Sequence, residues 1–247
     1  MRVTFISIVI FSFVVSSLCT SCIHHYYAPN SNNVPLLKEK NDGRIQLQLS
    51  SGNDYEGFEF QSAYAVGKHT CLQLNFFTAS GDYKEADIKY GSGKGTYIEA
   101  AAGYFAPSHN NHWVFETYAG AGTGTVTNEY MKSEFSKVGV TKFFLQPSFG
   151  FSTKNFEIAI SSKFSMANIR LKDYTITENN NPYDFIDIKF LQNNKSFFFW
   201  EPGIIMRGGF EQFKFLAQLT LSVPNDSELN IDPVNLSLGI MIPFKIK

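Results

Sequence analysis

Nine charged residues stand out by where they fall. Glu59, Glu99, Glu116, Glu157 and Glu201, with Lys142, Lys163, Arg207 and Lys214, occupy alternate positions in segments whose intervening residues are large and apolar. Their side of each segment otherwise holds Gly, Ala, Ser and Gln. If that side is enclosed, acids and bases must pair, because an unpaired enclosed charge is costly. Two chemistries follow: a salt-bridged interior, or the lining of a pore or binding site. A narrow enclosure leaves little free bore and favours the first.

Other candidates are weaker. His109 and His112 lie in Ser108-His-Asn-Asn-His112-Trp113 without the glutamate of a zincin motif. Their place, like that of His69, is a tight turn, where solvation explains them. His24 and His25 lack a third metal ligand. Gly91-Ser-Gly-Lys-Gly95 departs from phosphate-loop spacing and has Gly95 where Ser or Thr is required. The pairs Asp54-Tyr55, Asp82-Tyr83, Glu129-Tyr130 and Asp173-Tyr174 are ordinary for polar aromatic loops. Neither catalytic centre, metal nor cofactor is expected. Lys+Arg 21 against Asp+Glu 22 leaves no nucleic-acid footprint. Cys71 is alone in the body of the chain, which excludes an internal disulfide framework.

The elements that carry the charges alternate with period two. Ten segments, near 44–51, 57–66, 69–79, 95–106, 112–126, 139–152, 155–171, 196–208, 212–223 and 233–246, read as strands. In 155–171, Phe156, Ile158, Ile160, Phe164 and Met166 oppose Glu157, Ala159, Ser161, Lys163, Ser165 and Ala167. In 212–223, Phe213, Phe215, Leu219 and Leu221 oppose Lys214, Gln218, Thr220 and Ser222. Most are long enough to cross a bilayer when tilted, at about 9–11 residues. Connections alternate between tight turns (66–69, 106–112, 152–155, 207–212) and longer polar segments (51–56, 80–94, 127–138, 172–195, 224–232), the rim asymmetry of an outer-membrane barrel. Within 172–195, Tyr183 to Phe190 alternates and reads as a strand extension able to meet a partner. Aromatics cluster at strand ends: Tyr64, Tyr104, Phe105, Trp113, Phe151, Phe197 to Trp200 and Phe244, as interfacial girdles do.

The last strand, Val234 to Phe244, alternates strictly and ends close to Lys247. It resembles the closing strand of a bacterial outer-membrane β-barrel, which implies that Phe244 belongs to a signal for the barrel-assembly machinery. The fold expected is all-β: an antiparallel up-and-down transmembrane β-barrel of about ten strands, with eight or twelve as neighbouring even counts. An even count puts both termini on the short-turn side, the periplasmic one, where an acylated Cys22 is expected to sit in the inner leaflet.

The N-terminus reads as an export signal: Arg2, then an apolar stretch to Leu18 and small residues to Cys22. Its end resembles a lipobox, although Cys19 stands where leucine is preferred; this implies acylation of Cys22, with plain cleavage near Ser21 as the alternative. Residues 1–21 are taken as signal peptide, 22–43 as acylated N-terminus and extended linker, and 44–247 as barrel. Tyr26 and Tyr27 are placed at the membrane interface. The Tyr26-x-x-Pro29 start, followed by Pro35-Leu-Leu37 and Lys38-Glu-Lys40, is similar to small outer-membrane β-barrel lipoproteins common in Bacteroidota. That resemblance implies an outer-membrane location, contact with outer-membrane lipids, and a structural or surface-interaction role through the long loops. The rival readings are a narrow porin-like channel and a soluble lipid-anchored binder with a lipocalin-like apolar interior.

Overall fold

Period-two alternation gives each strand one apolar and one polar face, and the polar faces meet inside a closed antiparallel barrel of ten strands. The computed structural model describes residues 24–85 and 88–246; the signal peptide and Cys22 lie outside the described residues. The strands are β1 (Asp42–Ser51), β2 (Glu56–Ala65), β3 (Thr70–Glu85), β4 (Ile88–Pro107), β5 (Trp113–Tyr130), β6 (Phe135–Ser152), β7 (Phe156–Tyr174), β8 (Ser196–Gly209) and β9 (Lys214–Leu221). A two-residue piece, β10 (Val223–Pro224), prolongs the β9 side along β8. β11 (Val234–Lys245) closes the ring by pairing with β9 and with β1, Asp42 opposite Lys245 and Ser51 opposite Leu236. Closure leaves no free sheet edge, the condition for strands in hydrocarbon.

The apolar faces point outward. Phe143, Phe215 and Leu238 are each more than 60% exposed, and Leu49, Leu74, Ile160, Met166, Ile204 and Ile242 join them. A contiguous apolar belt around the whole circumference far exceeds what a water-soluble surface tolerates, and it fits the lipid-facing band of a membrane barrel. This overturns the lipocalin-like expectation, which needs Phe156, Ile158 and Phe215 inside. Phe156 and Phe215 are exposed, and Ile158 shares their face.

Three corrections concern local structure. Phe105, Phe197 and Phe199 are buried inside the barrel rather than placed in a girdle, because their strand parity is that of the polar face. Residues 80–94 and 127–138, read as loops, are largely strand: β4 runs for 20 residues and contains Gly91 to Gly95. Both faces are polar there, so alternation fades while the backbone ladder continues. Tyr183 to Phe190 is helical, within α1 (Pro182–Asn193). Pro182 suits a first helical turn, Asp184 complements the helix N-terminus, and Ile188 and Leu191, three apart, are buried. They pack with Ile169, Ile176 and Phe197, so α1 folds over the long-loop mouth.

Candidate functional site

The polar interior is occupied by the chain itself. Residues 24–37 run in extended form through the lumen, with Ser31, Asn32, Leu36 and Leu37 at 0% exposure. His24 meets Asp184 of α1 (Nδ1 to Oδ1, 2.8 Å) and His25 meets Asp54 (3.0 Å), both on the long-loop rim. Tyr27 forms a parallel bridge with Ile231. At the other end the Lys38 ammonium donates to the Ser152 carbonyl (3.4 Å) and the Asn41 N–H to the Ala65 carbonyl (2.9 Å), on the short-turn rim. Leu36 (φ 54) and Asn41 (φ 72) flank the reversal into β1. The expected linker is therefore extended but lies inside the barrel. Tyr26 and Tyr27, at 1% exposure, are not at a membrane interface. Its composition misled: Asn and Ser satisfy a polar lumen as well as they satisfy water.

Glutamines hold the middle of this plug. The side-chain amides of Gln61 (2.8 Å), Gln218 (2.8 Å), Gln73 (3.0 Å) and Gln146 (2.7 Å) donate to the carbonyls of Ser31, Asn32, Asn33 and Asn33 respectively. Four strands thus satisfy three consecutive plug carbonyls, as buried backbone groups require. Asn33 Nδ2 donates to Asn75 Oδ1 (2.7 Å), and Asn32 Nδ2 to the Glu201 carbonyl (2.9 Å). Two inward glycines make room. A Cβ on Gly150 would lie 2.7 Å from Leu36 Cδ2, and one on Gly203 3.0 Å from Asn32 Nδ2.

All nine charged candidates are buried, and they fall into distinct groups. Lys142 Nζ lies 2.7 Å from Glu99 and 3.9 Å from Glu201, and it donates to the Tyr27 hydroxyl (3.0 Å). That hydroxyl donates to Glu201 (2.6 Å). Lys163 reaches Glu99 at 3.6 Å, without a hydrogen-bond partner. Lower down, Glu157 binds Lys214 (2.7 Å), Arg207 (3.0 Å) and Arg44 (3.5 Å). Arg207 also donates to the Val34 carbonyl (2.6 Å). Glu59 and Glu116 have no ion pair among the described residues. Glu59 accepts from the Ser31 N–H (2.9 Å), the Ser31 hydroxyl (3.0 Å) and Asn235 (2.9 Å). Glu116 accepts the N–H groups of Leu36 (3.1 Å) and Leu37 (2.8 Å). These carboxylates bind the plug backbone. Sequence reasoning missed Arg44 and the glutamines; the available signal was glutamine recurring at inward parity on unconnected strands.

The mouth is pinned too. Asn230 Nδ2 donates to Asp187 of α1 (2.6 Å). Burial, with the Asp184 charge nearby, pushes the Asp187 carboxyl up to about 6, against that hydrogen bond and the His24 charge. Burial also raises Glu134, but hydrogen bonds from Asn180, Thr177 and Asn181 outweigh it and bring it to about 2. Between the β1–β2 turn and the tops of β3 to β5 lies an open cleft of about 900 Å³, lined by Asp54, Glu56, Asp82, Lys94 and Glu129.

The remaining candidates are scattered. His69 and His112 contact the backbone carbonyls of Phe105 (3.0 Å) and Ser152 (3.4 Å) on the short-turn rim. Cys71 is buried and free. Phe244 stacks on Tyr64 (6.4 Å between centroids, 4° between planes). No group of three metal-ligating side chains occurs among the described residues.

No family model and no curated protein matches the chain. Among solved structures it is similar to the attachment invasion locus protein Ail of Yersinia pestis (12% identity, 83% of this chain and 99% of that one, TM-score 0.39). It is also similar to the translocator domain of the autotransporter NalP from Neisseria meningitidis (11%, 83% and 88%, 0.36) and to the outer membrane protein OmpT of Vibrio cholerae (7%, 85% and 100%, 0.28). At these scores the likeness is one of general barrel form, and no function is taken from it.

Proposed function

We propose that this chain is an outer-membrane β-barrel lipoprotein with a structural or surface-interaction role, closed by its own N-terminal segment and acylated at Cys22. The observation that carries the reading is the hydrogen-bonded passage of residues 24–37 through the lumen beneath α1. An interior so filled supports neither a standing pore nor a solute site. The long loops face outward in this reading, as in outer-membrane barrels generally.

The plug changes where an anchor would sit. His24, the first described residue, pairs with Asp184 at the long-loop rim, so the chain enters the lumen from that side. We therefore propose an anchor on the long-loop side instead of the periplasmic one expected from the strand count: β1 begins on the short-turn side, but residues 24–37 reach it from the opposite rim. The acyl chains would then enter the outer leaflet, at about 0.8 kcal/mol per buried CH₂. An epitope inserted after Ile23 should bind antibody on intact cells, and Cys22→Ser should abolish fatty-acid labelling. Binding only after the outer membrane is permeabilised would refute the topology; undiminished labelling of Cys22→Ser would refute the anchor.

A further inference from the structure

The outward face of β7 changes character along its length. Phe164 and Met166 belong to the apolar belt, and Asn168, Arg170 and Lys172 follow towards the long-loop rim. Lys137 on β6 and Lys195 just before β8 are exposed beside them. None of Lys137, Arg170, Lys172 and Lys195 has a carboxylate oxygen within 4.0 Å among the described residues. The one acid in the row, Asp173, is register partner to Lys137. Gly139 lets the stem of Lys172 lie across β6 where a Cβ would sit. Lys172 consequently lines two adjoining clefts. One, of about 390 Å³, runs between β7 and α1 with Arg170, Tyr174, Gln192 and Lys195. The other, of about 340 Å³, runs over β3 to β5 with Phe76, Ile98, Thr123 and Thr125.

We propose that this basic rim binds the phosphate groups of a phosphorylated glycolipid in the outer leaflet, with an acyl chain along the Phe76–Ile98 groove. The proposal rests on the outward orientation of the long loops. Two arguments select a lipid over a soluble anion. The cations sit directly above the belt at headgroup height, and one of the two clefts descends from Lys172 onto apolar side chains. Arg170 offers a planar donor fork for phosphate oxygens, and the lysines offer point charges. Among the described residues, the cleft between the β1–β2 turn and the tops of β3 to β5, with Glu56, Asp82 and Glu129 around Lys94, lacks this excess of positive charge.

The test uses the full-length protein in non-ionic detergent, with diphosphorylated lipid A and its dephosphorylated form as probes. The phosphorylated lipid should bind about tenfold or more tightly, a difference near 1.4 kcal/mol. Combined Lys137→Gln, Arg170→Gln, Lys172→Gln and Lys195→Gln should abolish the preference while heat-modifiable migration is kept, and Lys94→Gln should retain it. Equal binding of the two lipids, an unchanged preference in the combined variant, or equally effective competition by free pyrophosphate would overturn the proposal. Orientation is read separately, by an impermeant maleimide on intact cells carrying Tyr183→Cys. Absence of labelling there would remove the outer-leaflet assignment even if the purified protein discriminates the lipids.

Discussion

Glu116 is fully buried, and its two oxygens accept two N–H groups from the plug. Each donor left unpaired costs about 1–3 kcal/mol. Glu116→Ala should therefore lower stability by about 2–6 kcal/mol, and Glu116→Gln, which keeps one acceptor, by less. Denaturant midpoints from heat-modifiable migration give the comparison. The two buried lysines near Glu99 should differ more sharply. Lys142 makes a close ion pair and two further hydrogen bonds, so Lys142→Met should cost about 3–5 kcal/mol. Lys163 has its 3.6 Å ion pair and no hydrogen bond, so Lys163→Met should change stability by no more than about 1 kcal/mol. Equal losses in the two variants would show that Lys163 gains more from Glu99 than its geometry implies.

At the scale of elements, α1 is held to the mouth by His24–Asp184 and Asn230–Asp187. The Asp187 carboxyl titrates near 6 when the helix is docked, against an ordinary value of 3.8. A raised carboxyl favours the docked state below its ordinary value, and that contribution is lost as the pH rises through about 6. Protease cleavage within 175–195 should be slower at pH 5 than at pH 7.5, and Asp187→Asn should flatten the difference. A steeper dependence in that variant would contradict the sign. β11 offers a second test: if Phe244 belongs to an assembly signal, Phe244→Ala should reduce insertion into the outer membrane. A loss of folded stability without slower insertion would instead assign Phe244 to the Tyr64 girdle contact. The strands were legible because alternation is imposed by two unlike surroundings, lipid and lumen. The element over the mouth was not. Phe185, Ile188 and Leu191 carry the helical spacing, but Ile186, Ile188 and Phe190, alternating with Asp187 and Lys189, imitate a strand. The plug was illegible for a different reason: the sequence shows that a segment is polar, not whether water or protein satisfies it.

The molecule as a whole is a barrel wrapped around its own beginning. Pro29 accepts hydrogen bonds from Tyr55 and Asn235, and Tyr27 bridges to Ile231, so the plug is tied at once to early and late parts of the chain. β11 closes beside β1, and the plug joins β1 directly, so closing the ring and enclosing the segment are geometrically linked. This gives the barrel a conductance prediction. Wild-type protein in a planar bilayer should be silent. Deleting residues 24–36 should open an aqueous path lined by Glu59, Glu99, Glu116, Glu157 and Glu201 against Arg44, Lys142, Lys163, Arg207 and Lys214. Acids and bases balance along that wall, so the opened path should show weak ion selectivity. If the deletion prevents folding, combined Gln73→Leu and Gln146→Leu supplies the reading, because it leaves the Asn33 carbonyl without these donors while keeping the chain threaded. That variant should flicker between closed and open levels. Steady conductance in the wild-type protein, equal to that of the deletion, would mean that residues 24–37 do not close the lumen, and the channel reading would replace the one proposed here.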